Sequence, residues 1–225
     1  MRKHVLAAAI AALSLSGVAV AHEAGEVVLR VGVIHAAPDV DSSKVKVNGA
    51  KVPGSSVDVK SDTQLGLTAT YMVMPHFGLE VLAATPFTHK VKADLKGAGL
   101  KDNYNFGKVS HLPPTISAQF FFLNPKSAFQ PYVGLGLNYT MFFDEKLSSE
   151  AKRDGFSKLK LDDSFGLAAQ IGMDYKVSDR IFVNAAIWKL GISSTAKAKL
   201  AGTNNVKVDV DINPWVYFVG AGFRF

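Results

Sequence analysis

Apolar residues alternate one by one with small or polar residues over five long stretches of the chain. Thr63, Leu65, Leu67, Ala69, Tyr71 and Val73 share one parity, while Gln64, Gly66, Thr68, Thr70 and Met72 share the other. The same period runs from Phe77 to Phe87, Pro131 to Met141, Phe165 to Tyr175 and Trp215 to Phe225. Successive side chains of a strand point to opposite faces, so a period of two predicts β-strands and not helices. Val27 to Ala36, Leu112 to Leu123 and Ile181 to Leu190 carry a weaker form of the pattern and complete a set of eight.

The connections alternate in length. Met74–His76, Asn124–Ala128 and Lys176–Arg180 are short. Ala37–Asp62, Thr88–Lys108, Phe143–Asp163 and Gly191–Val206 are long and hold most of the charge. Short turns at one end and long charged loops at the other are the layout of an outer-membrane barrel. Ser127 to Phe143 has no charged residue and is long enough to suggest a spanning helix. Pro131, Gly134, Gly136 and the alternation argue for a strand there instead. A closed barrel also satisfies its backbone in lipid without helices.

Periodicity alone does not say which face is inside. A soluble eight-stranded barrel would bury the bulky face. Here the glycine-rich face suits a narrow interior, and Phe77, Phe120, Phe122, Tyr175 and Trp215 fall at strand ends, as interfacial girdles do. The last strand ends on Phe225 at outward parity. The expectation is an all-β protein: an eight-stranded antiparallel transmembrane β-barrel with short periplasmic turns, long extracellular loops and its bulky face toward lipid.

The chain opens on Arg2, Lys3 and His4, continues with an apolar or small run from Val5 to Val20, and closes that run with Ala19-Val20-Ala21. This predicts a secretory signal peptide over 1–21, with the barrel over 22–225. Loss of Arg2 and Lys3 lowers the formal charge from +6 to +4. With no cysteine, stability does not rest on disulfides. The lysines are scattered between apolar stretches, which disfavours nucleic acid as a partner. In the loops, Lys44, Lys46, Lys51, Lys90, Lys92, Lys96, Lys101, Lys197, Lys199 and Lys207 form a solvated surface suited to lipopolysaccharide phosphates.

Enzymatic chemistry lacks a constellation. Ser110 and His111 are adjacent, and neighbours on a strand point apart, so they form no nucleophile–base pair. His35 or His89 could supply a base, but nothing in the sequence selects either. The six histidines show no metal-ligand spacing. No catalytic residue, metal or cofactor is expected.

His22–Glu26, Thr63–Thr68, Glu80–Phe87 (EVLAATPF), His111–Thr115 (HLPPT), Pro131–Gly134, Asn138–Thr140, Asp211–Trp215 (DINPW) and Gly222–Phe225 follow one another along the chain. Together these segments resemble the OmpW family of small outer-membrane proteins. The resemblance implies an eight-stranded barrel with an apolar interior, implicated in passage of small hydrophobic compounds across the outer membrane. The first long loop, Ala37 to Ser61, carries no family signature.

Parity places Leu82, Ala84, Pro86, Pro113, Phe121, Trp188, Val216 and Phe218 inside. Eight strands enclose a space that side chains nearly fill, so a wide aqueous pore is not expected. Leu82 and Trp188 are the candidate constriction or gate. Pro86, Pro113 and Pro114 cannot donate ladder hydrogen bonds, which marks the seam between the third and fourth strands as a candidate lateral exit. Toward the periplasm the inward positions turn polar, with Arg30, Glu80, Gln119, Gln170, Asp174 and Arg224. Arg30 or Arg224 is expected to pair with Glu80 or Asp174 as a plug, because buried charges pair. The functional expectation is passive diffusion of small hydrophobic solutes through a monomer, leaving sideways into outer-membrane lipid. The alternative is a non-transporting structural or surface-contact barrel used in adhesion or as a phage or bacteriocin receptor.

Overall fold

A computed structural model describes residues 23–225. The expected leader lies outside the described residues. Eight antiparallel strands close a barrel: β1 (Val27–Ala37), β2 (Asp62–Met74), β3 (Phe77–Ala84), β4 (Thr115–Phe121), β5 (Phe129–Leu147), β6 (Ser164–Lys176), β7 (Ile181–Leu190) and β8 (Trp215–Arg224). Each pairs with its neighbour in sequence, and β1 pairs with β8 from Val28↔Arg224 to Ala37↔Trp215 to complete the ring. The eight-stranded fold read from the alternation is therefore the fold of the chain.

The bulky face is outside. Leu135 is 73% and Leu167 74% exposed, while Ile34, Phe121, Trp188 and Phe218 are buried within the barrel. Phe77, Phe120, Phe122, Tyr175 and Trp215 all face outward. A soluble barrel would show the reverse. Glycine makes room for the largest inward rings. A Cβ on Gly222 would lie 1.9 Å from the Phe182 ring, and one on Gly172 would lie 2.4 Å from Tyr132.

The long connections are β-structure too. Strands 87–94 and 104–112 pair above β3 and β4, 56–59 adds to 87–94, and 104–112 pairs with the upper part of β5. A second sheet has the order 156–161, 193–200, 204–211, 46–47, 50–51. A short helix, Ser149–Arg153, joins the two, capped by Ser148 Oγ accepting from the Ala151 amide. Apolar residues of these strands face one another and charged ones face out, so the extension forms an apolar cup on the barrel mouth.

Candidate functional site

The floor of the barrel is filled by charge. Arg30 donates from Nε to Asp174 Oδ1 at 3.0 Å and from Nη2 to Asp174 Oδ2 at 2.6 Å. Its Nη1 reaches Thr70 Oγ1 at 2.8 Å and Glu80 Oε2 at 3.4 Å. The guanidinium also lies 5.5 Å from the Tyr132 ring centroid and 5.6 Å from that of Phe182. A two-pronged arginine–carboxylate contact is the strongest form of ion pair, and aromatic walls suit a weakly hydrated guanidinium. Arg224 stands apart from this cluster. Its Nε lies 3.5 Å from Glu26 Oε1 and donates to the Asp179 carbonyl. Arg30 takes both interior acids because β1 faces across the lumen. Arg224 sits at the lower rim, where its neighbours are Glu26, just before β1, and the β6–β7 turn.

Above the charged floor lies an apolar layer. Leu82, Phe121, Trp188, Val216 and Phe218 are buried, and Trp188 meets Phe218 edge-on at 6.3 Å between centroids. Ala84 is half-buried and Pro113 is buried. Pro86 departs from the expected pattern. It is exposed, and Phe87, at outward parity in the sequence, is 1% exposed and faces inward. The cause is the break at Thr85-Pro86, where β3 ends and the chain resumes a residue out of phase as strand 87–94.

That break has a partner. The β3–β4 ladder ends at Leu82↔Thr115 and pairing resumes at Phe87↔His111. Ala83 to Pro86 on one side and Leu112 to Pro114 on the other form no registered pairs across the seam. Two prolines in the second segment and one in the first supply no N–H there. The flanks are intact. Ala83 and Ala84 pair with Leu67 and Gly66 of β2, and Thr85 N donates to Leu65 O at 2.9 Å. Tyr139 N of β5 donates to Pro114 O at 3.1 Å. The gap is thus confined to one seam. EVLAATPF and HLPPT, two of the segments that carried the resemblance, are its two lips.

A crevice of about 10 Å³ opens behind the seam. Ile34, Leu82, Phe87 and His111 line it from within, and the outward-facing Ala83 shares the lining. Over it stands the cup, with a cavity of about 310 Å³ lined by residues such as Val57, Val91, Phe106, Leu159 and Val208. His89 and His111 lie between the two, with their Nε2 atoms 2.9 Å apart. Ser110 Oγ meets Thr88 Oγ1 at 2.9 Å and faces no base.

The cup went unseen in the sequence because its segments are short and charged. A signal was nonetheless present. Val45/Val47, Val57/Val59, Ala196/Ala198 and Val206/Val208/Val210 each alternate with lysine, aspartate or asparagine, which is a half-buried strand pattern. The lysines fall into register on its outer face. Lys160↔Lys197, Lys197↔Lys207, Lys207↔Lys46 and Lys46↔Lys51 are successive cross-strand pairs.

The DINPW segment ties β7 to β8 at the rim. Ile192 N donates to Asn213 Oδ1 at 3.1 Å, and Lys189 Nζ donates to Asn213 O at 2.7 Å while lying 4.9 Å from the Trp215 ring centroid.

The family model described as OmpW family matches residues 23–225. Outer membrane protein W of Vibrio cholerae serotype O1 is 42% identical over 225 residues, all of both chains. The crystal structure of the outer membrane protein OprG from Pseudomonas aeruginosa superposes with a TM-score of 0.87 at 45% identity, covering 91% of this chain and 98% of that one. At greater distance, the dibenzothiophene metabolism operon protein PahQ of Pseudomonas aeruginosa is 28% identical over 196 residues, 87% of each chain.

Proposed function

The chain belongs to the OmpW family of outer-membrane β-barrels, and from that premise we propose that it admits small apolar molecules passively and releases them sideways into the membrane. The observation that carries this reading is the interrupted β3–β4 ladder directly beneath an apolar cup. Apolar solutes leave water for such a cup because burial of their surface is favourable. The cavity of about 310 Å³ is at the small end of the range for ligand pockets. Straight passage is blocked twice. Leu82, Trp188 and Phe218 fill the mid-barrel, and the Arg30 cluster fills the floor with groups an apolar solute cannot solvate. The seam offers the remaining direction, framed by Ala84 and Pro113 inside and Pro86 outside. Phe121 lies below this level and acts as packing under the gate rather than as part of it. The name of PahQ, which ties that relative to metabolism of an aromatic sulfur heterocycle, agrees with such a cargo.

The test is uptake of an apolar dye by cells making the protein, lacking it, or making Leu82→Arg. Uptake that requires the protein and is lost in the variant supports the reading, provided that the variant still forms a heat-stable barrel. Equal uptake in all three cell types overturns it.

The row of five lysines favours a second role beside the first. Like charges directly opposite on a sheet repel; Asp209, Glu145 and Asp162 offset this at Lys46, Lys160 and Lys197, and phosphates of outer-leaflet lipopolysaccharide would relieve what remains. On this reading the outer face of the cup is a contact surface for the surrounding lipopolysaccharide.

A further inference from the structure

His111 stands in the crevice with one ring nitrogen committed and the other free. The commitment follows from its neighbour. His89 Nδ1 faces the carbonyl oxygen of Lys60, which can only accept, so Nδ1 of His89 carries a hydrogen. In neutral His89 the Nε2 is then bare. His111 Nε2 lies 2.9 Å from it and must be the donor. The ring planes are 14° apart with centroids at 4.9 Å, so the two imidazoles meet edge to edge. One proton position remains on His111, and it is empty: Nδ1 is a bare lone pair. That atom is buried and no protein group donates to it. Phe87 and Phe142, at 5.4 and 5.7 Å between centroids, hold the ring in place.

Every other residue lining the crevice is apolar. An unmet acceptor in such surroundings raises the free energy of the site until a donor reaches it. One layer down, Trp188 Nε1 is buried without a protein partner as well, and it is a donor. Trp188 pairs across the ladder with Val216, which lines the crevice. The smallest uncharged organic group that can donate to His111 Nδ1 is a hydroxyl, and its oxygen keeps the capacity to accept. The crevice, about 10 Å³, has room for one group of that size.

We propose that His111 Nδ1 is a hydrogen-bond acceptor for the solute in transit, so that the seam selects small apolar molecules carrying one hydroxyl over hydrocarbons of the same shape. This rests on the passage reading above and names its substrate class. The apolar body is received by the cup and the wall gap, and the hydroxyl enters the crevice. Such selectivity has a general basis: a buried group built to pair with a substrate hydroxyl is left unpaired by the analogue that lacks it.

The experiment compares 4-methylphenol with toluene, which share a ring and a methyl group. The full barrel in phospholipid nanodiscs, with ¹⁵N-labelled histidine, is titrated with each, and the His111 imidazole resonances are followed against free aqueous ligand. Saturable movement of the Nδ1 resonance by 4-methylphenol is expected, with binding about tenfold tighter than toluene, the worth of one net hydrogen bond. In a Trp215→Phe background, where Trp188 is the one remaining tryptophan, His111→Phe should bring 4-methylphenol down to the affinity of toluene or below it, read by Trp188 fluorescence, and leave toluene unchanged. His111→Gln, which keeps an acceptor, should retain most of the preference. Equal affinities in the unaltered protein, or an unchanged ratio in a folded His111→Phe barrel, overturn this inference and leave the passage reading standing. Failure of both ligands to perturb His111 or Trp188 overturns both. The ratio in the unaltered protein decides the matter even if His111→Phe does not fold.

Discussion

Asn138 Nδ2 lies 3.2 Å from the carbonyl oxygen of Pro113. The same amide nitrogen is 3.3 Å from Pro114 O and 2.9 Å from Thr115 Oγ1. One fully buried side chain of β5 therefore holds the lip of the seam that its own strand partner cannot hold. The opening is a fixed feature, anchored from behind, and not a frayed edge.

Asn138→Ala should release that lip. Loss of a buried amide that satisfies carbonyls costs about 1–3 kcal/mol. Urea unfolding in bilayers should show a loss of that size. The Tyr139 amide, which donates to Pro114 O, should exchange faster with deuterium, while amides of the β6–β7 ladder keep their rates.

Restoring N–H donors at the seam should have the opposite effect. In the double variant Pro86→Ala/Pro113→Ala both lips regain a backbone donor. Dye uptake should fall several-fold with no loss of barrel stability. Undiminished uptake together with new protected amides at 86 and 113 would show that solute leaves elsewhere.

The Arg30 cluster fills the barrel floor, and its energetics are asymmetric. Arg30→Met leaves Asp174 and Glu80 buried without their cation and should destabilise by about 3–5 kcal/mol. The triple change Arg30→Met/Glu80→Gln/Asp174→Asn removes all three charges and should recover most of that loss. Denaturant midpoints of the single and triple variants in the same lipid decide the point.

Gly222 is the tightest contact between wall and filling. A methyl group there would meet the Phe182 ring at 1.9 Å. Gly222→Ala should fail to give the compact, heat-modifiable band of a folded barrel on gels. Gly222→Ala/Phe182→Leu should regain it, because the smaller side chain vacates the space.

The lysine row allows a sign test. Lys207→Glu places a carboxylate between Lys197 and Lys46. The isolated barrel should gain a few tenths of a kcal/mol as repulsion turns to attraction. Retention of lipopolysaccharide through purification should nevertheless drop. A variant that holds as much lipopolysaccharide as the parent would count against the contact role.

The barrel was legible in the sequence because lipid and lumen impose opposite demands on alternate residues. Leu65, Leu135 and Leu167 face one solvent and Thr68, Gly136 and Ala168 the other, and a one-residue slip would exchange them all. The slip at Thr85-Pro86 was not legible. Parity carried through it assigned Phe87 to the outside and Pro86 to the inside, whereas the ladder break reverses both. The pairing of Arg30 with Asp174 depends on residues 144 apart in the chain, so the sequence could offer candidates for it but no choice among them. The cup was hidden for a different reason: its strands present lysine, aspartate or asparagine to water at every second position, and that density of polar residues resembles a loop.

The ring closes only when Val28 meets Arg224 and Ala37 meets Trp215, which joins the first strand of the barrel to the last. A polypeptide that stops short of Trp215 leaves both β1 and β7 with an unpaired edge, and hydrocarbon offers those amides nothing. A closed barrel in the bilayer must therefore wait for the ten residues of the last strand, Trp215–Arg224. Premature termination or removal of the C-terminus should yield aggregated material for periplasmic proteases, with no partly working barrel in the membrane. Surface display built on this scaffold has room for insertions at the cup turns, such as Gly202, where the chain already turns in open space, but none at Phe225.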